Sequence, residues 1–176
     1  MSAQTPTGSA IPYYSVHCAK ALYLNGTSEE LAKLAGSFSE ALFCEVLSFS
    51  GNKSLSEDLL LLWETKCPRI SELDLSSTNP LHLDRLATLE KLSKLDLSAT
   101  VIDSHELSSY LRRQTTLKTL CLDGVTLSAA AIQELLDSSP QLLNFSNTDN
   151  KAMTAHDWSL IQSHIITNAR VCVLNY

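Results

Sequence analysis

A pattern of the form Leu-x-x-Leu-x-Leu returns along almost the whole chain, most clearly as Ile70-Ser-Glu-Leu73-Asp-Leu75, Leu92-Ser-Lys-Leu95-Asp-Leu97 and Leu117-Lys-Thr-Leu120-Cys-Leu122. Weaker copies flank these: Ala19-Lys-Ala-Leu22-Tyr-Leu24, Cys44-Glu-Val-Leu47-Ser-Phe49, Leu142-Leu-Asn-Phe145-Ser-Asn147 and a degenerate Arg170-Val171-Cys172-Val173. Measured at the fourth position, the copies stand 25, 26, 22, 25, 25 and 26 residues apart. Self-similarity at a period of about 20–50 residues marks a stack of supersecondary units, none of which buries its apolar face alone. Here each unit has room for one strand and one helix.

Two periodicities alternate within a unit. Leu-x-Leu repeats at two residues, as in a strand with one buried face. About ten residues later the spacing becomes three to four, the signature of a helix face: Leu31, Leu34, Ala35 and Phe38; Leu59, Leu62 and Trp63; Leu83, Leu86 and Leu89; Leu107, Tyr110 and Leu111; Ile132, Leu135 and Leu136; Trp158, Ile161 and Ile165. Parallel strands are therefore expected near 20–25, 45–50, 71–76, 93–98, 118–123 and 143–147. Four helix starts keep the same phase: Thr27-Ser-Glu-Glu30, Ser54-Leu-Ser-Glu57, Asp103-Ser-His-Glu106 and Thr154-Ala-His-Asp157. In each, a capping side chain precedes a carboxylate by three residues, and both suit the positive end of a helix. Cys67-Pro68 and Ser139-Pro140 mark helix ends, since proline cannot continue the ladder.

The run from Leu59 through Trp63, Cys67-Pro68 and Leu73-Asp-Leu75-Ser76 resembles the leucine-rich repeat. Its Cys-Pro junction, with periods near 25 or 26, is similar to the cysteine-containing subtype of F-box leucine-rich proteins. The resemblance covers roughly residues 16–176. It implies an α/β leucine-rich repeat solenoid of about six to seven repeats, with a parallel β-sheet on the concave face and helices on the convex face. The motif is specific for the fold and not for a function, although a stacked repeat favours binding over catalysis. Two departures carry structural expectations. The asparagine or cysteine that follows the strand in this family is present at Asn52 and Asn150 but replaced at Thr27, Thr78, Thr100 and Val125, so an unbroken asparagine ladder is not expected. The 22-residue unit between Leu73 and Leu95 implies a clipped helix.

Residues 15–176 are expected to form one domain, preceded by a tail or cap over residues 1–14 in which Ile11-Pro12-Tyr13-Tyr14 could cover the first strand. The longest apolar run, Leu59–Trp63, is far too short to span a membrane, and Met1–Ser9 lacks the charged start and apolar stretch of a secretory signal. An odd count of five cysteines, with Cys44 and Cys67 at core positions, points to free thiols and a cytoplasmic location, or to a host cytosol if the chain is a bacterial effector. No two cysteines are separated by the two to four residues that zinc sites favour, so no metal or cofactor is expected. Cys121-Leu-Asp123 resembles the Cys-x-Asp loop of bacterial ubiquitin ligases that carry leucine-rich repeats. There it belongs to a separate helical domain, whereas here it falls in a strand, and the five histidines at 17, 82, 105, 156 and 164 sit at different repeat phases. The five glycines form no phosphate-binding loop, and a net charge of −6 disfavours nucleic acid. The chain reads as a non-enzyme.

What remains is a surface. Parallel strands would carry the residues between and beside the leucines onto the concave side, and the candidate partner-binding set there is Tyr23, Glu72, Asp74, Lys94, Asp96, Cys121 and Asp123. Its middle is acidic. Asp74 and Asp96 on neighbouring strands repel, which a partner with a basic contact segment would relieve. If both point to solvent, reversing their charge should leave thermal stability almost unchanged. The favoured expectation is a protein–protein interaction module. The alternatives are a substrate-recognition subunit of a ubiquitin ligase, although residues 1–40 show no convincing F-box, and a secreted bacterial effector engaging host proteins.

Overall fold

The computed structural model describes residues 2–4, 19–79, 82–167 and 172–176. Eight strands of three residues form one parallel sheet in strict chain order: β1 (Ser2–Gln4), β2 (Ala21–Tyr23), β3 (Val46–Ser48), β4 (Glu72–Asp74), β5 (Lys94–Asp96), β6 (Thr119–Cys121), β7 (Asn144–Ser146) and β8 (Val173–Asn175). Between them run α1 (Ser28–Ser37), α2 (Glu57–Lys66), a 310 helix (Leu83–Thr88), α3 (Ser104–Arg113), α4 (Ala129–Ser138) and α5 (Ala155–Thr167). This is the α/β leucine-rich repeat solenoid. Ser2–Gln4 pairs with β2, while Ile11–Tyr14 lies outside the described residues.

Register follows the leucines. Leu22, Leu47, Leu73, Leu95, Leu120 and Phe145 stand side by side across the sheet. Each strand is shorter than the alternation suggested, but single bonds prolong the ladder, such as Leu24 N–H to Ser48 O at 2.7 Å and Leu97 N–H to Cys121 O at 2.9 Å. The last copy is a correction. Phe145 aligns with Leu174 rather than with Val171: this unit runs four residues longer than the one from Leu120 to Phe145, and three of those four lie in α5, which has 13 residues where α4 has 10. The concave positions of β8 are consequently Val173 and Asn175 rather than Arg170 and Cys172; Arg170 itself lies outside the described residues.

The two apolar faces meet in one continuous core. Leu73, Leu95 and Leu120 are at most 1% exposed, and they pack with the predicted helix residues, of which Leu34, Leu62 and Leu89 are only partly covered. Cys44 and Cys67 are both buried in that core.

Three of the four expected caps form. Thr27 and Glu30 make a reciprocal capping box, Asp103 accepts from Glu106 N–H at 2.8 Å, and Thr154 exchanges bonds with Asp157. The fourth is shifted. Ser56, not Ser54, caps α2 by accepting from Leu59 N–H at 3.3 Å, which leaves Glu57 in the first turn and free to reach His82 N–H at 3.0 Å across the gap. Ser54 instead donates its own N–H to Asn52 Oδ1. Ser128 caps α4 as well, unannounced in the sequence because alanine, not an acid, stands three residues on.

After each of β3 to β7 the chain turns through a left-handed residue: Gly51, Ser77, Ala99, Gly124 and Asp149 have φ between 53° and 74°. The next residue turns back into the stack. Asn52 and Asn150 donate to the preceding unit, at Gly26 O and Leu127 O, whereas Thr78 and Thr100 close on Leu75 O and Leu97 O within their own unit. The ladder between units is thus interrupted where threonine replaces asparagine. The clipped helix of the 22-residue unit is the six-residue 310 helix. Around it α1 packs on α2, and the 310 helix, α3, α4 and α5 pack in succession, but backbone contact between α2 and the 310 helix is slight.

Candidate protein-binding surface

The sheet sets the geometry of the concave face. Glu72 lies beside Lys94, Asp74 beside Asp96, and Asp96 beside Cys121, while Asp123 follows at the exit of β6. Tyr23, 40% exposed, stands toward the N-terminal end of this array. The structure therefore brings Glu72, Asp74, Lys94, Asp96, Cys121 and Asp123 together in the middle of the face, with Tyr23 two strands from Asp74. Lys94 Nζ sits 3.7 Å from Glu72, so part of the acidity is offset at the surface.

The aspartates are not simply solvated. Asp74 Oδ2 accepts from Ser48 Oγ at 2.8 Å, and its Oδ1 accepts from Ser76 N–H at 2.9 Å and Ser76 Oγ at 2.7 Å. Asp96 Oδ1 accepts from Ser98 N–H at 2.9 Å. Asp123 Oδ1 takes Ser146 Oγ at 2.6 Å and Thr148 N–H at 2.8 Å. A short carboxylate at the end of a parallel strand reaches the next turn, which explains why Leu-Asp-Leu-Ser recurs. This corrects the expectation that charge reversal at Asp74 and Asp96 leaves stability untouched: a lysine there cannot accept these donors.

Cys121 shares the face but is not an activated thiol. Burial, followed by the negative fields of Asp96, Asp123 and Asp74, outweighs Lys94 and pushes it up to about 11. Nucleophilic cysteines require the opposite shift. In the core, the Cys67 thiol is raised by its hydrogen bond with Cys44 and by burial, and no disulfide joins the described cysteines. No group of three or more His, Cys, Asp or Glu side chains could hold a metal among the described residues. Nor is any described helix long and apolar enough to cross a membrane.

Sequence reasoning missed Glu64. It ends a leucine-rich turn of α2 and looks like a surface acid, yet it is 8% exposed, bonded through Oε2 to Thr88 Oγ1 at 3.2 Å, and its Oε1 is buried with no partner. Burial raises its pKa to about 7. The available signal was the short unit opposite it.

The sequence matches no family model and no curated protein. Among solved structures, an internalin from Listeria monocytogenes is similar at a TM-score of 0.49 and 16% identity, over 81% of this chain and 45% of that one. This chain thus spans less than half the length of that internalin. The solenoid class follows from the order and register of the sheet itself.

Proposed function

We propose that the chain is a non-enzymatic protein-interaction module whose concave face takes a basic segment of a protein partner. The observation that carries this reading is the side-by-side placement of Asp74 and Asp96, continued by Asp123, as half-buried carboxylates on the concave sheet face. Their internal hydrogen bonds hold the carboxylates in fixed positions without cancelling their charge, so little ordering cost remains for a partner. Opposite charge would also speed encounter. Tyr23 would supply an aromatic anchor toward one end of the contact, a role for which such side chains are suited.

Asparagine variants provide the test, because Asn keeps an acceptor for the turn and removes the charge. A fluorescent peptide of alternating lysine and glycine, titrated at low salt, should bind the unaltered chain and weaken as salt rises. The Asp74→Asn, Asp96→Asn double variant should bind it several-fold more weakly. Equal affinities for the two proteins would reject the acidic concave site. Affinity capture of cellular proteins on the same pair then identifies the physiological partner.

The junction of Cys67, which ends α2 in the core, with Pro68 favours a second reading, a substrate-recognition subunit of a ubiquitin ligase of the cysteine-containing repeat subtype. That reading requires a separate linker protein and a cytoplasmic setting. Co-purification with ligase components would distinguish it from an effector acting on host proteins.

A further inference from the structure

The shortened unit leaves a cleft on the convex side between α2 and the 310 helix, which meet there through side chains, Glu64 with Thr88 and Glu57 with Arg85, more than through close backbone packing. Its volume is about 320 Å³, and it is lined by Leu61, Pro68, Ile70 and Leu89 together with Glu64, Thr88 and Lys91. Leu61 is 48% exposed at the rim, whereas Ile70 is buried at 2%. The wall is apolar and the floor carries a carboxylate. One oxygen of that carboxylate is committed to Thr88, and the other, Oε1, is buried without a partner.

We propose that this cleft binds the side chain of a lysine presented by a partner protein, with its alkyl stem along Leu61, Pro68 and Leu89 and its ammonium on Glu64 Oε1, which a rotation of the Glu64 side chain brings to the cleft. Charge complementarity selects a cation. A single free oxygen suits the point charge of an ammonium, because a guanidinium pairs best with both oxygens of a carboxylate and Thr88 occupies one of them. The four-carbon stem of lysine matches an apolar wall beneath a buried acid. The chain's own Lys91 lines the same cleft, with no ion pair to Glu64 among the described contacts, and is the internal competitor.

Titration supplies a second signature. Thr88 bonds to Glu64, Glu90 and Lys91 line the same cleft from the 310 side, and the phenol of Tyr110, from α3, is pushed up by burial and by Glu64, with Arg113 opposing. With Glu64 poised at about 7, ligand binding should strengthen as the pH rises from about 6 to about 8, since an ammonium pairs with the ionised acid.

The probe is N-acetyl-lysine N-methylamide, followed by two-dimensional amide NMR on the whole chain, with the norleucine and arginine counterparts as controls. Amides of residues 61–70 and 88–91 should shift in a saturable way with the lysine probe, more at the higher pH, and far less with either control. Glu64→Gln should weaken binding by about tenfold or more, the ordinary worth of a charge-assisted hydrogen bond. Lys91→Gln should strengthen it if Lys91 competes. Absence of saturable shifts, equal response to norleucine, or an unchanged affinity in Glu64→Gln would each overturn the proposal. Should Glu64→Gln not fold, Leu61→Asn at the exposed rim and the pH profile of the unaltered chain decide it. The concave variants Asp74→Asn and Asp96→Asn leave this cleft intact, so the two binding readings fail independently.

Discussion

Asp74 carries two roles at once. It contributes charge to the concave face and holds the turn after β4 through three hydrogen bonds from Ser48 and Ser76. Asp74→Lys should therefore lose about 1–3 kcal/mol in urea unfolding, whereas Asp74→Asn should lose less, because it retains an acceptor. Leu95 and Leu120 are fully buried, and truncation of either to alanine should cost about 2–5 kcal/mol. Glu64 gives a pH-dependent counterpart. Its folded pKa of about 7 lies above the ordinary 4.5, so the folded state holds the proton more tightly than the unfolded chain does. The resulting stabilisation is complete below about 4.5 and disappears as pH rises through about 7. Glu64→Gln should flatten this slope and, at about pH 8, unfold at higher urea than the parent by about 1–2 kcal/mol, after allowance for solvent screening at the cleft mouth. A parent protein with no such slope would show that Glu64 titrates normally.

At the level of elements, turns and caps divide the work. Ala99 adopts φ 53° where Gly124 adopts 72°, the region in which an L side chain is disfavoured. Ala99→Gly should accordingly be neutral or stabilising by a few tenths of a kcal/mol, and Gly124→Ala should cost about 1 kcal/mol by strain, because an added Cβ meets Ala99 only at an ordinary 4.0 Å. Equal and opposite results would place the effect in packing instead. Ser128→Ala should cost about 1 kcal/mol through the lost cap on α4. The 310 helix has no side-chain cap of its own. Glu57 and Glu106 from the flanking helices accept its first N–H groups, at His82 and Leu83. The clipped unit is thereby held by its neighbours.

Across the whole molecule, stability in a repeat stack is distributed among neighbour interfaces, and the outer units have fewest. Amide exchange should be slowest in β4, β5 and β6 and fastest in β8 and the end of α5. Protection that is uniform from β2 to β8 would mean that the chain unfolds as one cooperative block. The concave and convex faces also differ in what they offer a partner. One is an acidic sheet and the other a row of helices with a cleft beside α2.

The repeat, the parallel sheet, the buried leucines and most helix caps could be read from the chain because they depend on local periodicity: strand and helix spacings are properties of neighbouring residues. The candidate concave residues were legible for the same reason, since alternation decides which side chains share a face. Tertiary structure decided the rest. The displaced register at Leu174 depends on how far α5 extends before the chain returns. The hydrogen bonds that tie Asp74, Asp96 and Asp123 to the turns depend on distances between units, which spacing along the chain does not contain. Glu64 is the clearest case. By composition it is a surface acid at the end of a leucine-rich helix, and only the apposition of α2, the 310 helix and α3 removes it from water. Burial is a property of what packs against a residue, so the identity of the residue alone could not announce it.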